Sequence, residues 1–177
     1  MVTMVSSNLR SRSEFERLGA GGKGMRVSEI LAKDLLIPNL QSKNKKGVLE
    51  ELAGILVAQG KLPNLDKVVE VLLDREKLGS TGIGDGIAIP HGKIREIKGV
   101  VASFGRSREG VNFESIDQKP AHLFFLLMAP ENSAGIHLKA LARISRLLKD
   151  STFRKSLMEA ETKEELYQII SEEDARY

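Results

Sequence analysis

The longest apolar run in the sequence, Leu123 to Pro130, has the length of one interior β-strand. It is far shorter than the roughly 18–20 apolar residues that cross a bilayer, so no membrane insertion is predicted. A strand that is apolar at successive positions must be covered on both faces, usually by helices. The run therefore predicts a central strand in a sheet that lies between two layers of helices.

Segments of helical and of strand pattern alternate along the rest of the chain. Apolar residues at three- and four-residue spacing predict helices over 41–59, 64–77, 133–149 and 152–159, with a last one from the capping box at 162–165. Asn64 is predicted to cap the second of these helices. Strands are predicted over 35–38, 87–89, 100–104 and 123–128, and residues 106–120 are predicted to form a loop with a short strand pairing at 111–113. This order predicts an α/β fold, a three-layer sandwich with a small mixed β-sheet flanked by helices on both faces. The link from Ile89 to Val100 is too short for a crossover helix, so an antiparallel pair is also expected.

Composition excludes several classes of protein. The 177 residues are 41% hydrophobic and 29% charged, as in a globular domain, and include no cysteine. Disulfide scaffolds and thiol nucleophiles are therefore excluded, and no two of the three histidines have a short ligand spacing, so we predict neither a metal nor another cofactor. The net charge of +3 leaves nucleic-acid binding as an alternative. Most of that excess lies in residues 1–24, so no nucleic-acid partner is predicted.

The first 24 residues differ from the rest in composition. They end in a glycine-rich run at 19–24 and lack the apolar stretch of a secretory signal. We predict a disordered N-terminal extension at 1–24, one domain at 25–177 and a cytoplasmic location. Met25, where helical patterning begins, is an alternative natural start.

His91 is the strongest candidate for chemistry. It follows a predicted strand that Pro90 is expected to end, and it lies downstream of a loop with four glycines at 79–86. Gly92, the next residue, is expected to let a partner come close to the imidazole. The loop matches neither a Walker motif nor a dinucleotide fingerprint, but its N–H groups could cradle an anion. A neutral imidazole can attack phosphorus while its second nitrogen keeps a proton. Phosphoryl chemistry and an exposed surface histidine remain the two interpretations of these residues.

Four further residues are candidates for the same site. Arg75, at the end of its predicted helix, could direct its planar guanidinium at a phosphate or could only complement the helix dipole. His137 lies in the first turn of a helix, where the positive end of the dipole would keep it neutral and able to donate to a phosphoryl oxygen. The alternative for His137 is a packed structural histidine. Ser80 and Thr81 add hydroxyl donors to the loop.

The stretch from Asp74 to Lys93, with the core Gly-Ile-Ala-Ile-Pro-His, resembles the active-site segment of a known family. This family is the type 2 EIIA domains of the bacterial phosphoenolpyruvate:sugar phosphotransferase system, in its fructose/mannitol class. The nitrogen-regulatory IIA branch is the most similar. The resemblance continues through His137 to Leu148 and implies the α/β sandwich already predicted.

The resemblance also implies roles for the candidate residues. His91 would accept a phosphoryl group on Nε2, the tele nitrogen, from a phosphohistidine on a small HPr-like phosphocarrier protein. Arg75 matches the phosphate-facing arginine of the family and His137 its second active-site histidine. Ser80 and Thr81 match a hydroxyl pair that supports the phosphate loop.

Three functions remain open at the level of sequence. The expectation favoured by the single IIA domain is a nitrogen or metabolic regulatory IIA that acts on a target protein. The second is a fructose-type, sugar-specific IIA that passes phosphate to a IIB component. The third is a non-catalytic protein-binding module on the same fold, which the presence of His91 disfavours.

Overall fold

The computed structural model describes residues 25–177, and the predicted disordered extension at 1–24 lies outside the described residues. Two short 3-10 turns, Val27–Glu29 and Lys33–Leu35, precede the first strand. The described elements that follow are β1 (Leu36–Ile37), α1 (Lys45–Ala58), α2 (Leu65–Lys77), β2 (Gly82–Gly84), β3 (Ile87–Ala88), β4 (His91–Ile94), β5 (Val101–Val111), β6 (Ala121–Pro130), α3 (Ala134–Leu148), α4 (Ser151–Glu159) and α5 (Lys163–Ala175).

The strands form one mixed sheet in which β6 is central. β5 lies antiparallel along one edge of β6, while β3 and β4 lie parallel along the other. β1 extends the sheet parallel to β5, and β2 pairs antiparallel with β3. Every residue of β6 except His122 is buried. The central strand and the antiparallel pair predicted from the sequence are both confirmed.

Helices cover both faces of this sheet. Side chains alternate between faces along a strand, so Ser103 and Arg106 of β5 point in opposite directions. The Ser103 hydroxyl donates to the Leu52 carbonyl of α1 at 2.8 Å, whereas the Arg106 guanidinium donates to the Leu157 carbonyl of α4 at 2.8 Å. Helices α1 and α2 pack together on the first face, and α4 lies with α3 and α5 on the second. The predicted α/β sandwich is confirmed.

Strand β5 is longer than the sequence indicated, and the loop predicted at 106–120 is wrong over its first part. The cause is Arg106, which is fully buried although its guanidinium is charged. It donates to the backbone carbonyls of Leu157 and Ala160, which lie far along the chain. Hydrogen bonds to distant carbonyls replace much of the water that a charged residue normally requires, although Nη2 has no partner among residues 25–177, and the strand continues through it.

Side-chain caps set where the two helices of the first face begin. The cap predicted at Asn64 is confirmed, since its side chain accepts the Lys67 N–H at 3.1 Å. Helix α1 begins at Lys45 rather than at the predicted residue 41, because Asn44 caps it by accepting the Gly47 N–H at 2.8 Å. Within residues 25–177 no helix has the length and apolar character needed to cross a bilayer.

Candidate active site

His91 begins a strand rather than following the end of the sheet. The sequence predicted that Pro90 stops the strand, and Pro90, which lacks an amide hydrogen, does separate β3 from β4. The chain nevertheless stays beside β6. The Pro90 carbonyl accepts the Leu127 N–H at 2.9 Å, and His91 lies opposite Leu127 in a parallel pair. His91 is therefore held by the central strand of the sheet.

One hydrogen bond fixes the tautomer of His91. Its Nδ1 lies 2.8 Å from the Ile89 carbonyl oxygen. A carbonyl can only accept, so Nδ1 carries the proton and Nε2 keeps its lone pair. Burial, and then the charge of Arg75, lower the pKa of His91 below 6.5, although the Ile89 hydrogen bond and Glu76 oppose this. At neutral pH the ring is uncharged and Nε2 is available as a nucleophile.

His137 lies directly beside His91. Their ring centroids are 5.4 Å apart, and the ring planes are inclined by 52°. His137 is 6% exposed, and its buried Nδ1 has no hydrogen-bond partner among residues 25–177. Burial, followed by the charges of His91 and Lys93, lowers its pKa to about 4. The sequence attributed a neutral His137 to the helix dipole, but burial is the main cause.

Stability should fall as the pH falls from 6.5 toward 4. In this window the unfolded chain binds a proton at residue 137 that the folded protein, with a His137 pKa of about 4, binds only weakly. Protonation therefore favours the unfolded state, and we expect a loss of about 3 kcal/mol by pH 4 from this residue. Urea unfolding at pH 7 and pH 4 should show a smaller loss for His137→Gln. Equal losses in the two proteins would contradict this cause.

Arg75 reaches the same site from the end of α2. Its Nη1 donates to the Gly79 carbonyl at 2.9 Å, which links the last helical turn to the loop that follows. A guanidinium has five N–H donors, and within residues 25–177 only the Gly79 carbonyl accepts a hydrogen bond from Arg75. The remaining donors can bind an anion near His91. The Arg75 charge is close enough to His91 to contribute, after burial, to the lowering of its pKa.

Gly92 explains how α2 comes close enough to place Arg75 there. A Cβ atom at Gly92 would lie 2.9 Å from Cγ1 of Val71, in the middle of α2. Only glycine therefore lets this helix pack against β4 without displacement. Close packing of α2 on β4 is thus one role of Gly92, and access of a partner to the imidazole, the role expected from the sequence, stays a prediction.

Both loop hydroxyl groups use their protons inside the protein. Ser80 Oγ donates to the Phe113 carbonyl at 2.9 Å and accepts the Gly82 N–H at 3.0 Å. The Thr81 hydroxyl donates to one carboxylate oxygen of Glu76, and the Thr81 N–H donates to the other at 2.9 Å. In this arrangement the two hydroxyl groups fix the loop.

The glycine-rich loop is a hairpin rather than an open cradle of donors. The N–H groups of Gly79, Gly82 and Asp85 already have acceptors in the protein, so for them the predicted anion cradle is wrong. The glycines serve the turn between β2 and β3. Gly84, Asp85 and Gly86 have φ values of 95°, 56° and 76°, a region that glycine adopts without strain.

Glu76 is the residue that the sequence interpretation missed. Its side chain is only 4% exposed, and a carboxylate oxygen lies 3.6 Å from the Lys45 ammonium of α1. A carboxylate at the C-terminal end of a helix opposes the helix dipole, so its burial there is notable. The signal was present: Glu76 lies four residues after Leu72 and seven after Val69, on the apolar face of α2.

His122 lies away from this cluster. Its Nδ1 is 2.9 Å from the Ser107 carbonyl oxygen. It is five residues along β6 from Leu127, the partner of His91, which is roughly 17 Å at the rise of a strand. In the part of the chain that the structure describes, no group of three or more histidine and acidic side chains could hold a metal ion.

Similarity to known proteins extends beyond these residues. The family model for the phosphoenolpyruvate-dependent sugar phosphotransferase system, EIIA 2, matches residues 29–173. The PTS system fructose-specific EIIABC component of Bacillus subtilis (strain 168) is 42% identical over 150 residues, which is 85% of this chain and 24% of that protein. The nitrogen regulatory protein of Bradyrhizobium diazoefficiens is 41% identical over 147 residues, which is 83% of this chain and 95% of that protein.

A solved structure has the same fold. The crystal structure of nitrogen regulatory protein IIA-Ntr from Neisseria meningitidis matches with a TM-score of 0.76 and 38% identity, over 81% of this chain and 98% of that chain. The chain spans only 24% of the Bacillus relative but 95% of the Bradyrhizobium one. From the family match, the relatives and the shared fold, we conclude that this chain belongs to the EIIA type 2 family of the phosphoenolpyruvate-dependent sugar phosphotransferase system.

Proposed function

We propose that this protein is a cytoplasmic phosphoryl carrier that accepts a phosphoryl group on Nε2 of His91. The donor is a phosphohistidine on an HPr-like phosphocarrier protein. The observation that supports this proposal best is the hydrogen bond from Nδ1–H of His91 to the Ile89 carbonyl at 2.8 Å. It leaves Nε2 as the nucleophile and prevents the ring from presenting Nδ1 instead.

The transfer balances without a metal or a net proton movement. The Nε2 lone pair of His91 forms a bond to phosphorus as the phosphorus–nitrogen bond of the donor breaks. The electron pair of that bond returns to the donor imidazole. When the donor ring carries a proton on its second nitrogen, it leaves as a neutral imidazole, and His91 keeps its own proton on Nδ1.

Arg75 and His137 are suited to stabilise the transition state. In a loose phosphoryl-transfer transition state, negative charge is spread over three equatorial oxygens. Among residues 25–177 only the Gly79 carbonyl accepts from Arg75, so other donors of its guanidinium are available to the phosphoryl group. In His137, a proton on Nε2 avoids a buried Nδ1–H without an acceptor, so Nε2–H can donate to a phosphoryl oxygen. Ser80 and Thr81 support the phosphate loop by holding its backbone.

The surroundings of the site are suited to a protein partner. Large apolar side chains are exposed in the segments that carry the site: Leu78 and Ile83 in the stretch between α2 and β3, and Ile136 and Leu138 on either side of His137 in the sequence. Exposed apolar side chains around a polar centre are typical of transient protein docking. A groove of about 650 Å³ also lies between α1 and α2. Neither the two histidines nor Arg75 line it, so the proposed phosphoryl site is not in this groove.

We propose that the downstream role is nitrogen or metabolic regulation through a target protein. The match to a nitrogen regulatory protein over 95% of its length favours this role. Phosphorylation would add a charge of about −2 to a surface that now carries Arg75 and neutral histidines, which is enough to change a protein contact. A fructose-type IIA that passes phosphate to a IIB component is the second candidate, favoured by the 42% identity to a fructose-specific component.

The proposed function is tested by intact-protein mass spectrometry. The protein is incubated with phosphoenolpyruvate, enzyme I and an HPr-type carrier that is shown to be phosphorylated. We expect a mass gain of one phosphoryl group that is lost in acid, as expected for a phosphohistidine. No gain with an active carrier would favour the non-catalytic binding module on the same fold.

A further inference from the structure

We infer that Glu76 is a positioning residue for the phosphoryl acceptor, acting on His91 through the backbone of Thr81 and Ile89. This inference rests on the proposed function of His91. Glu76 does not contact the imidazole itself, and its effect is on the orientation and tautomer of the ring. Three successive hydrogen bonds of the described chain connect the two side chains.

The first bond anchors the loop to α2. Both donors of Thr81, the backbone N–H and the side-chain hydroxyl, point at the Glu76 carboxylate, with the N–H at 2.9 Å. Two donors on two carboxylate oxygens fix the Thr81 peptide in both position and direction. Since Glu76 lies on α2, the loop is attached to a rigid helix at this point.

The second and third bonds carry this position to the imidazole. The Thr81 carbonyl accepts the Ile89 N–H at 3.0 Å. The Ile89 carbonyl in turn accepts Nδ1–H of His91 at 2.8 Å. Residues 81 and 89 therefore link the carboxylate to the ring nitrogen that must keep its proton, each through its own N–H on one side of Cα and its own C=O on the other.

The burial of Glu76 supports a role beyond packing. The Glu76 side chain is 96% buried on a helix face that otherwise carries apolar side chains. An apolar residue such as leucine would be expected at a position of this kind. Lys45 lies 3.6 Å from Glu76 and also 3.6 Å from Glu114, so the ammonium has a second acidic partner. Neutralising Lys45 is therefore not the only role of the Glu76 carboxylate. Its hydrogen bonds are directed at the loop that precedes His91.

Two variants at this position distinguish the loss of the hydrogen bonds to Thr81 from a loss of folding. Glu76→Met keeps the length of the side chain but accepts no hydrogen bond from Thr81. Glu76→Gln can still accept the Thr81 N–H and donate to its hydroxyl. The matched control is Glu70→Gln, which makes the same change of charge at an exposed position of the same helix. Each protein is first shown to be folded by its far-ultraviolet circular dichroism.

The experiment measures phosphoryl transfer from the phosphorylated carrier over a range of carrier concentrations. We expect the maximal rate of folded Glu76→Met to fall about 100-fold, the cost of a small misplacement of a reacting group, with little change in the half-saturating carrier concentration. Glu76→Gln should recover most of the rate, to within about tenfold of the wild type, because it replaces charge-assisted bonds by neutral ones. Glu70→Gln should transfer at the wild-type rate.

The ¹⁵N chemical shifts of the His91 ring give a readout that loss of stability alone would not move. The wild type should show one tautomer protonated on Nδ1, and Glu76→Met a mixture of the two tautomers. A folded Glu76→Met with the wild-type transfer rate and a single tautomer would overturn the inference. A wild type that accepts no phosphate at all would instead overturn the function of His91, so the two failures are distinguishable.

Discussion

His91→Gln should abolish phosphorylation completely while leaving the fold intact. The glutamine side chain has no nucleophilic nitrogen, and no other described histidine presents a free Nε2 in the same place. His137 is 6% exposed, and His122 lies at another part of β6. Because His91 is only half-buried at the start of a strand, its loss creates no large cavity. The measurement is the intact mass after incubation with the active carrier system.

The control for this variant is His122→Gln. It removes a half-buried histidine whose Nδ1 is, like that of His91, hydrogen-bonded to a backbone carbonyl. We expect His122→Gln to gain one phosphoryl group as the wild type does. Phosphorylation of the folded His91→Gln protein would show that another residue is the acceptor.

Arg75→Ala should slow phosphoryl transfer by about 1,000-fold, because a fixed cation that meets charge developing in a transition state contributes on this scale. The protein should remain folded, since the one side-chain hydrogen bond of Arg75 in the described part of the chain, to Gly79, lies at the surface. The rate is measured by rapid quenching with a phosphorylated carrier in excess. The slow variant should still reach the same final extent of phosphorylation, because His91 is unchanged.

Lys77→Ala is the matched control for Arg75. It removes a cation from the same helical turn, where Lys77 is exposed and pairs with Asp74 at 3.2 Å. An unchanged rate is expected for this variant. Arg75→Lys keeps the charge but loses the planar arrangement of donors, so its rate should lie between those of Ala and the wild type. Wild-type transfer by Arg75→Ala would remove this residue from the site.

The parts of the fold that follow from local pattern could be predicted. The apolar run at 123–128 gives a central strand because each of its side chains needs cover, and the structure confirms this. Asn64 is recognisable as a helix cap because its side chain bonds to a backbone N–H only three residues later. The proximity of Arg75 and His91 could be expected only from the family resemblance, since α2 must pack on β4 to bring them together.

The parts that depend on distant partners could not be predicted. The charge of Arg106, taken alone, predicts a loop. Arg106 nevertheless lies in a strand, because carbonyl groups at the end of α4, those of Leu157 and Ala160, accept its hydrogen bonds. Glu76 lies in the helix predicted over 64–77, and its role could not be recognised there. Its partner Thr81 lies in a loop whose course the sequence pattern does not define. The short strand β4 was missed because four residues after a proline carry no pattern until they pair with β6.

The central claim is that His91 accepts the phosphoryl group on Nε2 because its Nδ1 is held by the Ile89 carbonyl. Heteronuclear ¹H–¹⁵N and ³¹P NMR of the phosphorylated, ¹⁵N-histidine-labelled protein tests it most directly. The account predicts one phosphorylated ring, that of His91, with phosphorus coupled to Nε2 and a proton retained on Nδ1. Phosphorus on Nδ1 of His91, or on His137, would contradict it.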